Sequence, residues 1–242
     1  MKPLRIATWN IHRCIGRDRR YLPSRIGHVL REIDADLIAL QEVPLPQAPA
    51  TSCLQEIIAA IGSEGWQYVA RPTLLLEHHP VGNAVLSRYP LKLRHEHDLR
   101  VRQREPRAAL EVGVDLPGQD LRVIATHLGL RPFERRLQFE QLLAAFAHAR
   151  NERPDDATVL LGDFNEWLNW ARPLRWLARQ FPATPAVATF PSGSPFLALD
   201  RIWLRPAQPG FQPVRHGSRL ARIASDHLPL VVSVPLPLAR AN

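Results

Sequence analysis

The chain has 242 residues, 45% of them apolar and 22% charged, which is enough apolar material for a sizeable core and excludes a disordered composition. Its two cysteines, Cys14 and Cys53, argue against a disulfide framework and show no zinc-site spacing. The formal charge of +8, carried almost entirely by arginine, favours an anionic partner: a nucleic acid, a phosphorylated small molecule or an acidic membrane surface. No long apolar segment is present, so we expect a cytoplasmic protein without a transmembrane segment; its oligomeric state stays open.

The first predicted elements are a strand, a helix and a second strand. The strand from Leu4 to Trp9 stops abruptly at Asn10, and the strand from Asp36 to Leu40 stops at Gln41-Glu42. Between them, Leu22-Pro23-Ser24 begins a helix, because the apolar residues that follow are three and four positions apart. The apolar residues that share one face of this helix are Ile26, Val29, Leu30 and Ile33.

A second helix and a run of strands follow. Ser52 and Gln55 form the pattern of a capping box, and Gly62 suits a left-handed helix end. The strands that come next are predicted at Gln67–Arg71, Val81–Ser87, Leu91–Leu99, Ala108–Asp115 and Leu121–His127. Short turns between several of them indicate antiparallel hairpins, and strands without intervening helices argue against a doubly wound parallel sheet. Two packed sheets with helices outside are therefore expected.

The last third of the chain contains another helix and another abrupt strand end. Pro132 suits the first turn of a third helix, whose apolar stripe includes Phe139 and Phe146. The buried strand Thr158–Leu161 runs into Gly162-Asp163-Phe164-Asn165. A weaker helical pattern covers about Leu168–Phe181. The final segment, 235–242, is predicted to be a loose tail. Three tryptophans follow this strand: Trp167, Trp170 and Trp176. We favour core packing for them over a role in an interfacial or stacking surface.

Polar residues at several strand ends predict an active site. Four apolar strands end in Asn10, Glu42, His127 and Asp163, and two further candidate segments hold Asp200 and Asp226-His227. Carboxylate and amide oxygens suit a hard ion such as Mg²⁺, and a histidine beside a carboxylate can accept a proton from water. Asp200 and His227 are the candidate pair. Because these candidates extend from Asn10 to His227, their convergence would require a single domain over 1–242.

The ordered motifs resemble those of the endonuclease/exonuclease/phosphatase superfamily, and in particular its compact bacterial members. They are Thr8-Trp9-Asn10-Ile11-His12, Leu40-Gln41-Glu42-Val43, Thr126-His127-Leu128-Gly129, Gly162-Asp163-Phe164-Asn165, Leu199-Asp200-Arg201-Ile202-Trp203 and Ser225-Asp226-His227-Leu228-Pro229. Any one of them is weak evidence, but their order along nearly the whole chain is specific. The resemblance implies a four-layer α/β sandwich and the metal-dependent hydrolysis of a phosphoester.

The resemblance also implies roles for the site residues. Glu42 would be the principal ligand of Mg²⁺, or alternatively Mn²⁺, with Asn10 and Asp226 completing or supporting the metal site. His227, oriented by Asp200, would activate the attacking water.

Three other motif residues would act on the phosphate. Asp163 and Asn165 would contact the scissile phosphate or the nucleophile, with assistance to the leaving group as the open alternative for Asp163. His127 would hydrogen-bond a phosphoryl oxygen, with a role as an acid left open.

Two secondary candidates for substrate binding are Asn83 and Arg107. Asn83 matches a family segment that approaches the substrate, although Gly82-Asn83 could form a simple turn. Arg107 matches an arginine that many family members place beside the phosphate. The alternative is that it is one of the many arginines on the surface.

The substrate class has two main alternatives. A histidine at Thr126-His127-Leu128 favours a phosphodiesterase that acts on a small or lipid-derived phosphoester. The basic charge favours a DNA or RNA nuclease of the same superfamily. A non-catalytic binding module is a third hypothesis, but the complete motif set argues against it.

Overall fold

The computed structural model describes residues 2–45, 52–62, 64–76, 79–152 and 157–239. Its helices are α1 (Pro23–Ile33), α2 (Cys53–Ile61), α3 (Pro132–Glu152), α4 (Arg172–Leu177) and α5 (Arg219–Ala224). The first strands are β1 (Leu4–Asn10), β2 (Leu37–Pro44), β3 (Gln67–Leu76), β4 (His79–Ser87), β5 (Leu91–Asp98) and β6 (Ala108–Leu116). The remaining strands are β7 (Gln119–His127), β8 (Ala157–Asp163), β9 (Asp200–Arg205), β10 (Val214–Arg215) and β11 (Leu230–Val234).

The strands form two mixed sheets. One has six strands in the order β10-β11-β1-β2-β4-β3, and the other has five in the order β5-β6-β7-β8-β9. Each sheet contains one parallel pair, β1 with β2 and β7 with β8, while its other pairs are antiparallel. Because β1 and β2 run in the same direction, Asn10 and Gln41 lie side by side where the two strands end.

Three apolar clusters hold four layers together. The central cluster joins the inner faces of the two sheets, for example Ile6 of β1 and Val123 of β7. A second cluster packs α1, α2 and α5 on the outer face of the six-stranded sheet, and a third packs α3 and α4 on the five-stranded sheet. The order helices, sheet, sheet, helices confirms the predicted four-layer α/β sandwich.

Several local predictions hold, and others need correction. Gly62 ends α2 at a left-handed φ of 76°, as predicted, but the Ser52 side chain makes no capping hydrogen bond. The helix expected over Leu168–Phe181 forms only as the six residues of α4. A proline at the start of α4 suits its first turn but could not continue a helix from upstream.

The tail and the tryptophans also differ from expectation. Leu238 is buried in the central cluster, and the Ala239 N–H donates to Gln208 Oε1 at 2.9 Å, so the tail packs on the core as far as residue 239. Residues 240–242 lie outside the described residues. Trp167 and Trp170, for which core packing was favoured, are instead 46% and 71% exposed. Among the described residues, none of the helices has the length and apolar character needed to cross a bilayer.

Candidate active site

The predicted polar residues meet at one end of both sheets. Backbone register pairs His127 with Asp163 and Asp163 with Asp200, while Asn10 ends β1 in the facing sheet. They surround a cleft of about 560 Å³. Of the predicted site residues, its lining includes Asn10, Glu42, Asn83, Arg107, His127, Asp163, Asn165, Asp226 and His227. Asp200 is fully buried behind His227. A larger cavity of about 710 Å³ beside β5 and β6 contains none of them.

An irregularity in β2 positions Glu42. The pairing between β2 and β4 shifts register between Leu40 and Val43, and Glu42 has a left-handed φ of 55°. A non-glycine residue in this conformation costs free energy and persists only where the surroundings hold it in place. Here the side chain of Asn10 contributes, since its Nδ2 donates to Glu42 Oε1 at 3.1 Å and to Asp163 Oδ2 at 3.0 Å. Asn10 thereby links the two sheets at the floor of the cleft.

A left-handed turn follows β1 and closes this end of the cleft. His12, Arg13 and Cys14 have φ values of 46°, 54° and 61°. Three successive non-glycine residues in this region are unfavourable and mark a functional or tightly constrained segment. Arg13 Nε lies 3.8 Å from Glu42 Oε2, and Arg13 lines the cleft. Sequence reasoning missed Arg13, because nothing in the local pattern predicts left-handed backbone.

His227 and Asp200 form a buried hydrogen-bonded pair. The distance from His227 Nδ1 to Asp200 Oδ2 is 2.9 Å, and the Thr189 hydroxyl donates to the same Oδ2 at 2.5 Å. Because an ionised carboxylate only accepts, the proton lies on His227 Nδ1. The Trp9 indole N–H donates to the His227 carbonyl at 2.9 Å and fixes its backbone. Thr189 and Trp9 are positioning residues; both belong to sequence motifs, but the sequence reasoning assigned them no role.

The charges around His227 strongly favour its protonated form. Burial by itself lowers the pKa of His227, but the carboxylates of Asp200 and Asp163 outweigh it and raise the pKa to about 10. Burial raises the pKa of Asp163 to about 6, and the charge of Asp200 adds to this, while His227 opposes it. The pKa of His227 therefore lies well above the usual histidine value of 6.5. In the absence of a cation nearby it is an imidazolium at neutral pH.

His127 is held in the opposite charge state. Arg107 Nη1 lies 3.0 Å from His127 Nδ1, and since a guanidinium can only donate, Nδ1 is the acceptor and Nε2 carries the proton. Burial, the charge of Arg107 and the charge of His227 together lower the pKa of His127 well below its usual value. His127 is consequently a neutral N–H donor, with Nε2 3.6 Å from Asp163 Oδ2. This geometry favours the hydrogen-bonding role over that of an acid.

Arg107 and Asn83 do not fit the simple alternatives weighed for them. Arg107 is buried, and its other terminal nitrogen lies 3.1 Å from Glu105 Oε1, so it is not an ordinary surface arginine. Asn83 lies within β4 and not in a turn, and its Nδ2 donates to the Ala108 carbonyl of the facing sheet at 3.1 Å. Both side chains line the cleft, where Asn83 links the two sheets and Arg107 contacts His127 of the five-stranded sheet.

Asn165 is held by both neighbouring strand ends. Its backbone N–H donates to Asp163 Oδ1 at 2.9 Å, and its Nδ2 donates to the Leu128 carbonyl at 2.9 Å. The residue has a φ of 51°, a left-handed conformation that asparagine tolerates better than most side chains. The sequence Asp163-Phe164-Asn165 therefore places both polar side chains on the cleft, while Phe164 is buried between them.

Two groups of side chains could hold a metal ion. Asp163, Asp200 and His227 each have a ligand atom within 4.8 Å of the others. However, Asp200 and His227 are already bonded to each other, so this cluster is better suited to moving a proton. Glu42 and Asp226 are partly open to the cleft, with exposed side-chain fractions of 26% and 38%. These two carboxylates are hard oxygen donors, which fit Mg²⁺. Asn10 supports Glu42 through its Nδ2, while its amide oxygen accepts the His12 N–H at 3.0 Å.

This four-layer sandwich, with oxygen donors and a histidine–aspartate pair at one strand edge, has the architecture of a phosphoester hydrolase. The chain belongs to the Endonuclease/Exonuclease/phosphatase family, whose model matches residues 7–227. Members of this family are hydrolases that act on phosphoesters.

The chain is also similar to individual proteins. The chain is 34% identical to the uncharacterized protein YbhP of Escherichia coli (strain K12) over 252 residues, which cover 96% of each chain. An endonuclease/exonuclease/phosphatase structure from Beutenbergia cavernae has a TM-score of 0.77 and 26% identity over 98% of this chain and 72% of that one. The mannosyl-6-phosphatase Bt3783 of Bacteroides thetaiotaomicron shares the fold, with a TM-score of 0.68 and 15% identity over 96% of this chain and 100% of that one.

Proposed function

We propose that the protein is a Mg²⁺-dependent phosphodiesterase that hydrolyses a small or lipid-derived phosphoester through attack of an activated water, with Mn²⁺ as an alternative ion. The observation that carries this proposal is the meeting of two kinds of group in one cleft. A histidine–aspartate pair with a separation of 2.9 Å lies beside the oxygen donors of Glu42 and Asp226. Because the sheets contribute the groups jointly, we propose that residues 1–242 act as one domain, in the cytoplasm.

The metal would be held by Glu42, with Asn10 and Asp226 completing or supporting its site. When bound there, a divalent cation polarises the phosphoryl oxygens, offsets charge on the leaving group and favours the neutral form of His227. Neutral His227 would then take the proton of the attacking water at Nε2, because Nδ1 is committed to Asp200. The Asp200 carboxylate stabilises the imidazolium that forms.

The other side chains would hold the phosphate. His127, kept neutral and protonated at Nε2 by Arg107, would donate to a non-bridging phosphoryl oxygen. Asn165 and Asn83 would contact the phosphate from the cleft wall. Asp163, with its pKa raised to about 6, lies between His127 and His227. It would orient the nucleophile and could carry the proton to the leaving group near neutral pH.

The alternative is a nuclease of the same family. The charge of +8 supports an anionic polymer as substrate, as it supports an anionic lipid. Phosphomonoesters also require testing, because the structural neighbour Bt3783 is named a mannosyl-6-phosphatase. A binding module without catalysis is disfavoured, because all the motif residues meet at one site.

A screen of purified protein tests these alternatives directly. Phospholipids, single- and double-stranded nucleic acids, phosphomonoesters and bis(p-nitrophenyl) phosphate are each incubated with Mg²⁺ or Mn²⁺, with EDTA as control. We expect metal-dependent hydrolysis of the generic diester and of a small or lipid-derived diester. Cleavage of nucleic acid alone, strongly reduced by salt, would support the nuclease instead.

A further inference from the structure

Large exposed apolar side chains lie at the cleft and on the chain segments that adjoin it. Leu130 and Trp167 line the cleft and are 64% and 46% exposed. Phe133 and Leu137, one helical turn apart on α3, are 50% and 43% exposed, and Trp170, three residues after Trp167, is 71% exposed. These five residues form the mouth surface. Exposing a group of large apolar side chains to water does not stabilise a folded protein, so the mouth surface is a candidate for contact with a partner.

Arginine side chains accompany the apolar ones. The Arg104 guanidinium lies 4.9 Å from the Phe133 ring centre, and Arg135 lies 5.2 Å from that of Trp167. The charge of Arg135 is matched internally by Glu166, whereas Arg104 and Arg131 are exposed and share a small surface cavity with Leu130. Two carboxylates also line this cavity, Glu105, which pairs with Arg107, and Glu134, which is buried. The mouth surface therefore combines apolar tips with a positively charged border, on a chain whose net charge is +8.

We propose that the mouth surface docks the protein on an anionic phospholipid bilayer, with the cleft facing the lipid. Tryptophan, phenylalanine and leucine tips enter the boundary between headgroups and acyl chains, while arginines stay at the level of the phosphates. Anionic headgroups complement the charge of Arg104 and Arg131. The role of the cleft rests on the proposed function, but docking itself requires no hydrolysis.

The composition of this surface favours a bilayer over a nucleic acid. Bases bind to aromatic faces, but Leu130 and Leu137 offer none. The rings of Phe133 and Trp167 already have a guanidinium over one face. Apolar side chains that project beyond these cations match a lipid interface better than a stack of bases.

Vesicle sedimentation tests the proposal with the full-length protein. The wild type is mixed with vesicles of phosphatidylcholine and phosphatidylglycerol (3:1) or of phosphatidylcholine alone, without added metal. We expect binding to the anionic vesicles and about tenfold weaker partitioning for the double variant Phe133→Ser/Leu137→Ser and for Trp170→Ser. Arg131→Glu should lose the preference for anionic vesicles. Tyr68→Ser is the matched control, because Tyr68 is 42% exposed on β3 and lies outside the mouth surface.

Three outcomes would overturn the proposal. The first is that the wild type does not bind anionic vesicles. The second is that the mouth variants bind them as well as Tyr68→Ser does. The third is that the mouth variants bind vesicles normally but bind a fluorescent single-stranded oligonucleotide more weakly than the wild type. Hydrolysis of bis(p-nitrophenyl) phosphate, measured on the same preparations, separates the two proposals. We expect the mouth variants to hydrolyse this soluble diester like the wild type. Vesicle binding without any hydrolysis would contradict the proposed function and leave the docking surface standing.

Discussion

Replacing Asp200 with asparagine should change the protonation of His227 more than any other conservative substitution. The variant keeps the shape of the side chain but removes a negative charge 2.9 Å from His227 Nδ1. Burial opposes the imidazolium, and the two nearby carboxylates nevertheless raise the pKa to about 10 from the usual 6.5. That difference corresponds to roughly 5 kcal/mol of preference for the charged form. With Asp163 as the main remaining carboxylate, we expect the pKa of His227 in Asp200→Asn to fall below about 8.

The same substitution should alter the pH dependence of folding. A group whose pKa is raised on folding stabilises the protein fully below its unfolded value, here 6.5, and this contribution disappears as pH rises through about 10. Metal-free wild type should therefore lose more of its unfolding free energy between pH 6.5 and 9.5 than Asp200→Asn does. NMR titration of the His227 ring in EDTA measures the pKa, and urea denaturation at both pH values measures the stability.

A matched control separates charge from hydrogen bonding. Thr189→Val removes the other hydrogen bond to Asp200 Oδ2 and keeps the carboxylate, so the pKa of His227 should stay near that of the wild type. Asp200→Asn should also lower kcat for a generic diester by about 100-fold or more, because the base loses its orienting anion. An unchanged pKa in Asp200→Asn would refute the electrostatic account of the pair.

Three further substitutions test other parts of the site. Arg107→Gln removes the cation from His127 Nδ1, so the pKa of His127 should rise toward its usual value in an NMR titration; an unchanged titration would contradict the assigned Nε2–H form. Gly162→Ala places a Cβ 1.9 Å from the Thr126 carbonyl oxygen and should lower the free energy of unfolding, measured in urea, by about 3 kcal/mol. In the control Gly118→Ala the new Cβ meets no atom within 4 Å, so the variant should lose only about 1–2 kcal/mol because of its left-handed φ. Trp9→Phe removes the hydrogen bond to the His227 carbonyl and part of a fully buried ring, and should cost about 2–3 kcal/mol with a measurable decrease in kcat. An unchanged kcat would show that this bond does not hold the base.

Local patterns predicted most elements of the fold because the sequence carries their physical signals directly. The apolar spacing after Pro23 predicted α1, and Gly62 predicted the end of α2. The strands that stop at Asn10 and Asp163 were recognised from apolar runs that end in one polar residue. Periodicity failed over Leu168–Phe181, where exposed Trp170 does not belong to any buried helical face.

The chemistry of the site could not be derived from local sequence, because it depends on contacts between distant segments. Arg107 meets His127 only because neighbouring strands β6 and β7 bring the two residues together. Similarly, the contact of Asn10 with Asp163 joins the two sheets. Opposite pKa shifts for two histidines of one cleft follow from which charge each one faces, and sequence motifs do not contain that information.

The dependence of diester hydrolysis on Glu42 and a divalent ion tests the central claim most directly. Rates with bis(p-nitrophenyl) phosphate are measured for the wild type, Glu42→Gln and the control Glu56→Gln, an exposed residue in the first turn of α2. With increasing Mg²⁺ or Mn²⁺, the wild type and Glu56→Gln should show the same saturable activity, which EDTA abolishes. Glu42→Gln should be slower by about 100-fold or more. Hydrolysis that persists in EDTA, or an unchanged rate for Glu42→Gln, would contradict a metal-assisted mechanism at this cleft.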